Sequence, residues 1–70
     1  MAEVRAEMVA NVWKVVARDG DQVDDGDTLV ILESMKMEIP VLAEGSGMVT
    51  KLHVAEGDVV QEDDLIATIS

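Results

Sequence analysis

A chain of 70 residues with a net charge of −10 is short enough for one domain, and it lacks the basic patches with which proteins bind nucleic acid or anionic membranes. It contains no cysteine, which excludes disulfides and thiolate-bound metals and is typical of a reducing compartment. Neither a membrane-spanning apolar stretch nor a signal peptide is apparent, so we expect one cytoplasmic domain over residues 1–70.

Eight short strands are predicted along the chain, because Val and Ile make up 16 of the 70 residues and no window holds the apolar period of a helix. The predicted strands cover about 3–8, 11–17, 21–24, 28–33, 39–43, 48–54, 58–60 and 64–69. Gly20 and Gly57 mark matching acidic turns, where glycine supplies a positive φ without steric cost. The pattern predicts an all-β protein with a small aliphatic core.

The second half of the chain repeats the first at an offset of 37 positions. When residues 4–33 are laid over 41–70, nine of thirty positions are identical, whereas composition alone would give roughly two. The identical pairs are Val4/Val41, Ala6/Ala43, Glu7/Glu44, Val12/Val49, Lys14/Lys51, Gly20/Gly57, Asp21/Asp58, Val23/Val60 and Asp27/Asp64. We expect the two units to pack face to face as a flattened sandwich, joined by a hairpin over 34–40.

Apolar residues in the second predicted strand occupy both odd and even positions, which lie on opposite faces of a regular strand. Val15 and Ala17 share one face, whereas Val12 falls on the other, and the second repeat has the same pattern. A bulge or a sharp bend within each strand would reconcile these positions. Trp13, the only aromatic residue, is interpreted as core or as part of a partly covered strand face.

The candidate functional site is the polar segment Glu33-Ser34-Met35-Lys36-Met37-Glu38. It separates two short apolar runs, so we expect a hairpin tip whose central residues point into water. Lys36 is the only cation of the segment. A catalytic lysine needs burial or a cationic neighbour, and a hairpin lysine between glutamates has neither, so Lys36 is predicted to be an acceptor of a modification.

The five residues from Glu33 to Met37 resemble the attachment motif of biotinyl domains, in which a lysine between two methionines takes biotin. The family usually has Ala where this chain has Ser34, and its early Pro-Met-x-Gly is replaced by Glu7-Met8-Val9-Ala10. The resemblance covers the whole chain and points to the short stand-alone biotinylated members. It implies an all-β flattened barrel or sandwich of two four-stranded antiparallel sheets related by a pseudo-two-fold axis. That symmetry puts the lysine tip and the chain ends at opposite ends of the molecule.

The resemblance also implies a biotin carboxyl carrier that is not itself an enzyme. Biotin joined to Lys36 by a biotin protein ligase would carry an activated carboxyl group from a biotin carboxylase to a carboxyltransferase. Met35, Met37, Glu33 and Ser34 would be recognised by the ligase. We expect a monomer with no catalytic residue and no metal site.

Two other functions remain open. A lipoyl carrier for acyl or aminomethyl transfer shares the fold and the lysine, but lipoyl domains typically place an acidic residue before the lysine and a small one after it, so the methionine pair favours biotin over lipoate. An unmodified acidic interaction module is the alternative of another class.

His53, the only histidine, is predicted to be a solvent-facing strand residue. The acidic run over 19–27 fails the calcium-loop pattern, because Val23 stands where an oxygen ligand is needed.

Overall fold

The computed structural model describes residues 2–70, which form eight strands and no helix. The strands are β1 Ala2–Arg5, β2 Ala10–Val15, β3 Gln22–Val23, β4 Thr28–Ser34, β5 Met37–Leu42, β6 Gly47–Leu52, β7 Val59–Val60 and β8 Leu65–Ile69. They form two antiparallel four-stranded sheets, which confirms the predicted fold class. We call the β1-β8-β6-β3 sheet the terminal sheet and the β5-β4-β2-β7 sheet the lysine sheet. No helix long and apolar enough to cross a membrane occurs in the described range.

Each sheet contains two strands from each repeat. The expectation that each repeat forms one sheet and packs against the other was therefore wrong. The β4–β5 hairpin runs across the repeat boundary and keeps both strands in the lysine sheet. The turns also cross over: Gly20 N donates to Val49 O at 2.7 Å, and its repeat mate Gly57 N donates to Val12 O at 2.9 Å. The two halves are therefore interlocked, and neither forms a sheet of its own.

A bulge in β2 confirms the prediction made from the apolar residues on both faces of this strand. The pairing of β2 with β4 shifts between Val12 and Lys14, so that Trp13 is the extra residue. The pairing of β6 with β8 shifts at the matching place, 37 positions later. Val12 stays buried at 1% exposure, while Trp13 is 48% exposed. Trp13 thus lies on a partly covered strand face, and the alternative of a core position is excluded.

The core lies between the inner faces of the two sheets, and within residues 2–70 it is entirely apolar. The buried residues of this range are Val4, Ala6, Ala10, Val12, Ala17, Val23, Leu29, Val30, Leu32, Ala43, Val49, Val60, Ile66, Ala67 and Ile69. Leu29 and Val30 are adjacent yet both fully buried, because the pairing of β4 with β5 shifts between Thr28 and Val30. This further irregularity explains why the apolar run in β4 shows no alternation in the sequence.

The first strand is shorter than predicted. It ends at Arg5, because the chain turns at Ala6, which is buried and whose N–H donates to Asp64 O at 2.9 Å. The residues that replace the family's Pro-Met-x-Gly follow directly, and β2 begins at Ala10. The departure from the family pattern therefore leaves the start of β2 intact.

Candidate functional site

The tip that carries Lys36 is a two-residue turn. Strands β4 and β5 remain paired as far as Ser34 and Met37, so the loop holds only Met35 and Lys36 and not the six residues expected from the sequence. Their φ angles are 52° and 65°, and two successive positive values are typical of a type I′ turn, whose twist matches that of the flanking strands. The turn therefore fixes Lys36 at the very end of a continuous hairpin.

The side chains at the tip are exposed to solvent. Lys36 is exposed, Met35 is 92% exposed and Met37 is 64% exposed, so neither methionine belongs to the core. Within residues 2–70 the one ion pair joins Arg5 Nη2 to Glu3 Oε1 at 2.8 Å. The Lys36 amine thus forms no ion pair with its neighbouring glutamates, and another protein can reach it.

The two glutamates beside the tip face each other. Glu33 on β4 is directly opposite Glu38 on β5, and Asn11 on β2 is opposite Glu33 on its other side. Like charges placed directly opposite in a sheet are destabilising, so this pair does not contribute to the fold. It places negative charge next to the exposed amine, a pattern that suits a basic partner surface.

The base of the hairpin is anchored to the sheet. Ser34 Oγ donates to Val9 O at 3.3 Å, which ties the last residue of β4 to the segment before β2. Leu32, two residues earlier, is buried opposite Val12 in the core. This one hairpin carries all the candidate site residues, namely Glu33, Ser34, Met35, Lys36 and Met37. Among them Ser34 stabilises the hairpin through its hydrogen bond to Val9 O.

The other candidates from the sequence have structural roles. His53 is exposed, and its Nε2 lies 3.0 Å from Thr68 Oγ1, which confirms the solvent-facing interpretation. In the acidic run, Asp21 accepts a hydrogen bond from Arg18 N at 2.9 Å, and Asp27 accepts one from Asp24 N at 2.8 Å. These carboxylates build turns. The sequence signal was the aspartate at the fourth position of each turn.

Sequence reasoning did not foresee two exposed apolar residues beside the tip. Val9 is 62% exposed, and Val59 is 65% exposed and pairs with Asn11 at the tip end of the lysine sheet. Both look like core residues in the sequence, because valine dominates the buried strands. Only the alternation around Val60, which is buried, could have indicated that Val59 points outward.

Comparison with known proteins decides the family. The model of the family described as "Biotin-requiring enzyme", which covers biotin and lipoyl attachment domains, matches residues 2–69. The chain belongs to this biotin/lipoyl attachment family. It is 63% identical to the biotinylated protein TB7.3 homolog of Mycobacterium leprae, over 100% of both chains. It is 46% identical to the biotin/lipoyl attachment protein of Bacillus subtilis, over 96% of this chain and 92% of that one.

A solved structure shares the fold and much of the sequence. The urea carboxylase of Kluyveromyces lactis superposes with a TM-score of 0.92 and 40% identity. The match covers 99% of this chain but 6% of that protein. This biotin/lipoyl attachment chain therefore corresponds to one small domain of a much larger carboxylase.

Proposed function

We propose that this protein is a biotin carboxyl carrier whose biotin is attached to Lys36. The observation that carries the proposal is an exposed amine that has no ion-pair partner within residues 2–70 and is set between two exposed methionines at a two-residue turn. The names of its relatives support biotin as the group: one is a biotinylated protein, and a structural neighbour is a urea carboxylase. The methionine pair favours biotin over lipoate.

Attachment requires an amine that can be reached and that is free to react. The neutral Nζ of Lys36 would attack the carboxyl carbon of an activated biotin. A C–N amide bond forms, the activating group leaves with its electron pair, and Nζ loses a proton. Bound biotin supplies the chemistry of accepting and releasing a carboxyl group. The chain itself supplies an exposed position on a fixed hairpin, so we infer that it is not catalytic.

Three partner enzymes follow from this role. A biotin protein ligase would modify Lys36, a biotin carboxylase would load the carrier, and a carboxyltransferase would unload it. The lysine and biotin together span about 15 Å by extended-chain arithmetic, while the long axis of the molecule is 31 Å. The whole domain would therefore move between sites that lie further apart, and we propose that it does so as a monomer in the cytoplasm.

Four side chains near Lys36 have distinct proposed roles in recognition by the ligase. Met35 and Met37 offer a soft, adaptable apolar surface on both sides of the amine. Glu33 contributes negative charge that attracts a basic active-site rim. Ser34 acts indirectly, since its hydroxyl bonds Val9 O and holds the hairpin in place.

Replacing Lys36 tests the attachment site. Lys36→Arg keeps the positive charge but removes the primary amine, so coexpression with a biotin ligase should give a folded protein without biotin. Because the side chain is exposed, we expect the free energy of unfolding to change by less than about 0.5 kcal/mol. Lys14→Arg and Lys51→Arg, on exposed strand positions, are matched controls that should be biotinylated normally.

Two results would contradict the proposal. Biotin on the Lys36→Arg chain at another lysine would mean that the tip does not define the site. Loss of folding in the same variant would indicate a structural lysine and would favour the unmodified interaction module. A streptavidin blot reports the first result, and a denaturant titration reports the second.

A further inference from the structure

The outer face of the lysine sheet is apolar where the equivalent face of the terminal sheet is polar. We define the tryptophan face as Trp13, Ile31, Pro40 and Val59. The repeat mates of these four residues, in the same order, are Thr50, Thr68, Glu3 and Gln22. One position shows the opposite difference: the polar Asn11 of the lysine sheet has the apolar Met48 as its repeat mate on the terminal sheet. Because the two sheets repeat one backbone design, the fold itself does not require apolar residues on this face.

The two faces also differ in the interactions that their side chains make within the chain. On the terminal sheet Thr50 Oγ1 donates to Thr68 O at 3.0 Å, and Arg5 Nη2 pairs with Glu3 Oε1 at 2.8 Å. On the tryptophan face Trp13 is 48% exposed and Val59 is 65% exposed. A contiguous exposed apolar patch marks an interaction site, whereas single exposed apolar residues need no explanation. The tryptophan face is contiguous, because Ile31 pairs with Pro40 and the β2 bulge at Trp13 lies against Ile31.

The tryptophan face adjoins the Lys36 tip. The β2 bulge places Trp13 and Lys14 opposite Ile31, and Ile31 lies five positions before Lys36 on the same hairpin, which corresponds to roughly 15 Å along the strand. An interface of standard size buries about 800 Å² per partner, or a disc of about 16 Å radius. A protein that surrounds Lys36 with such an interface therefore covers Trp13 as well.

We propose that the tryptophan face docks the biotin protein ligase, an inference that rests on the function proposed above. The partner surface has an apolar recess for the indole and basic side chains opposite Glu33 and Glu38, which form the acidic border between this face and the tip. The ligase is favoured over the carboxylase because it meets the chain before biotin is attached. It must recognise protein surface alone, whereas later partners can bind the biotin.

The kinetics of biotinylation test this docking. Trp13→Thr installs the residue found at the repeat mate, and with a purified biotin ligase we expect KM for the chain to rise about tenfold or more with kcat little changed. Met48→Thr is the matched control, since Met48 is an apolar residue, 44% exposed, on the other sheet. It should leave both constants unchanged. Values for Trp13→Thr within twofold of the wild type, or an equal loss in Met48→Thr, would overturn the proposal.

Fluorine NMR gives a readout that does not depend on turnover or on a substitution at Trp13. Trp13 is the only tryptophan, so 5-fluorotryptophan gives one resonance for the chain. In the Lys36→Arg background, addition of ligase should shift or broaden this resonance as the complex forms. An unchanged resonance at ligase concentrations that capture the chain would overturn the docking surface.

The two proposals fail in different ways. Wild-type chain that takes no biotin on Lys36 contradicts the carrier function, and the docking proposal with it. Lys36 that is biotinylated at the wild-type rate in Trp13→Thr contradicts only the docking surface. If that variant were then slow as a substrate of a biotin carboxylase, the face would belong to the later partner, and the assignment to the ligase would be wrong.

Discussion

Met35 is a residue for which the demands of the fold and of recognition conflict. It occupies the first position of the two-residue turn with a φ of 52°, and its side chain is 92% exposed. Turns of this kind favour Asn-Gly, because both central residues adopt left-handed backbone angles. Neither burial nor backbone conformation favours methionine at this place. We therefore propose that Met35 is present for contact with another protein.

This conflict predicts that Met35→Asn separates stability from modification. Asparagine tolerates the left-handed region, so the free energy of unfolding should rise by up to about 1 kcal/mol. The kcat/KM of the biotin ligase for the chain should fall, because the apolar surface beside Lys36 is lost. Chemical denaturation and a ligation time course measure the two effects.

Met37 provides the control for this prediction. It lies in β5 without a positive φ, so Met37→Asn should slow ligation without stabilising the chain. A Met35→Asn chain that is less stable than the wild type would contradict the turn geometry. One that is biotinylated at the wild-type rate would contradict the proposed role in recognition.

At the scale of elements, four turns share one construction. In each, the N–H of the first residue donates to the carboxylate of an aspartate three positions later, and the aspartate N–H donates back to the first residue's carbonyl. The pairs are Arg18–Asp21, Asp24–Asp27, Ala55–Asp58 and Gln61–Asp64, with carboxylate bonds of 2.8–2.9 Å. Part of the acidity of the chain is therefore required by its turns, independently of any partner.

The third residue of these turns predicts a stability effect. Gly20 and Gly57 have φ angles of 90° and 92°, and a Cβ at either position would meet open space. Alanine should therefore lower stability by about 1 kcal/mol through backbone conformation alone. Thermal melts of both single variants check this.

The fourth turn supplies a matched control. It already carries a non-glycine residue in the same place, Asp63, with a φ of 72°. Asp63→Gly removes left-handed strain, which offsets the added entropy of glycine, so the melting temperature should not fall by more than a degree or two. Unchanged melting temperatures for both glycine-to-alanine variants would contradict the strain argument.

The elements that the sequence predicted well are those that both repeats encode. The bulge at Trp13 was predictable because Val12 and Val15 conflict in parity and their repeat mates do so too. The position of Lys36 was predictable from the polar interruption between two apolar runs. The length of the turn was not, because Met35 and Lys36 carry none of the Gly, Asn or Asp signals of a two-residue hairpin. The exchange of strands between repeats was missed because pairing partners are set by tertiary contacts, which local patterns do not encode.

At the scale of the whole molecule, a net charge of −10 is concentrated on 70 residues. Self-repulsion of this size opposes the compact state, and directly opposed pairs such as Glu33 and Glu38 add to it. The interlocking hydrogen bonds between the halves act against it. We propose that residues 1–70 unfold as one cooperative unit whose stability depends on ionic strength.

The charge predicts a salt effect on thermal unfolding. Raising the ionic strength from about 0.01 M to about 0.15 M shortens the Debye length from about 30 Å to about 8 Å, so the repulsion is screened and the melting temperature should rise by several degrees. Glu38→Gln, which removes one member of the opposed pair, should melt higher at low salt and respond less to added salt. A melting temperature independent of salt would contradict the argument, and two separate transitions would contradict the single unit.

Intact mass spectrometry of the protein from its native cells, followed by fragmentation, tests the central claim most directly. We expect a mass increase of one biotinyl group per chain, located on the fragment that contains Lys36, together with binding to streptavidin. A lipoyl increment on Lys36, biotin on Lys14 or Lys51, or a chain that is wholly unmodified would contradict it.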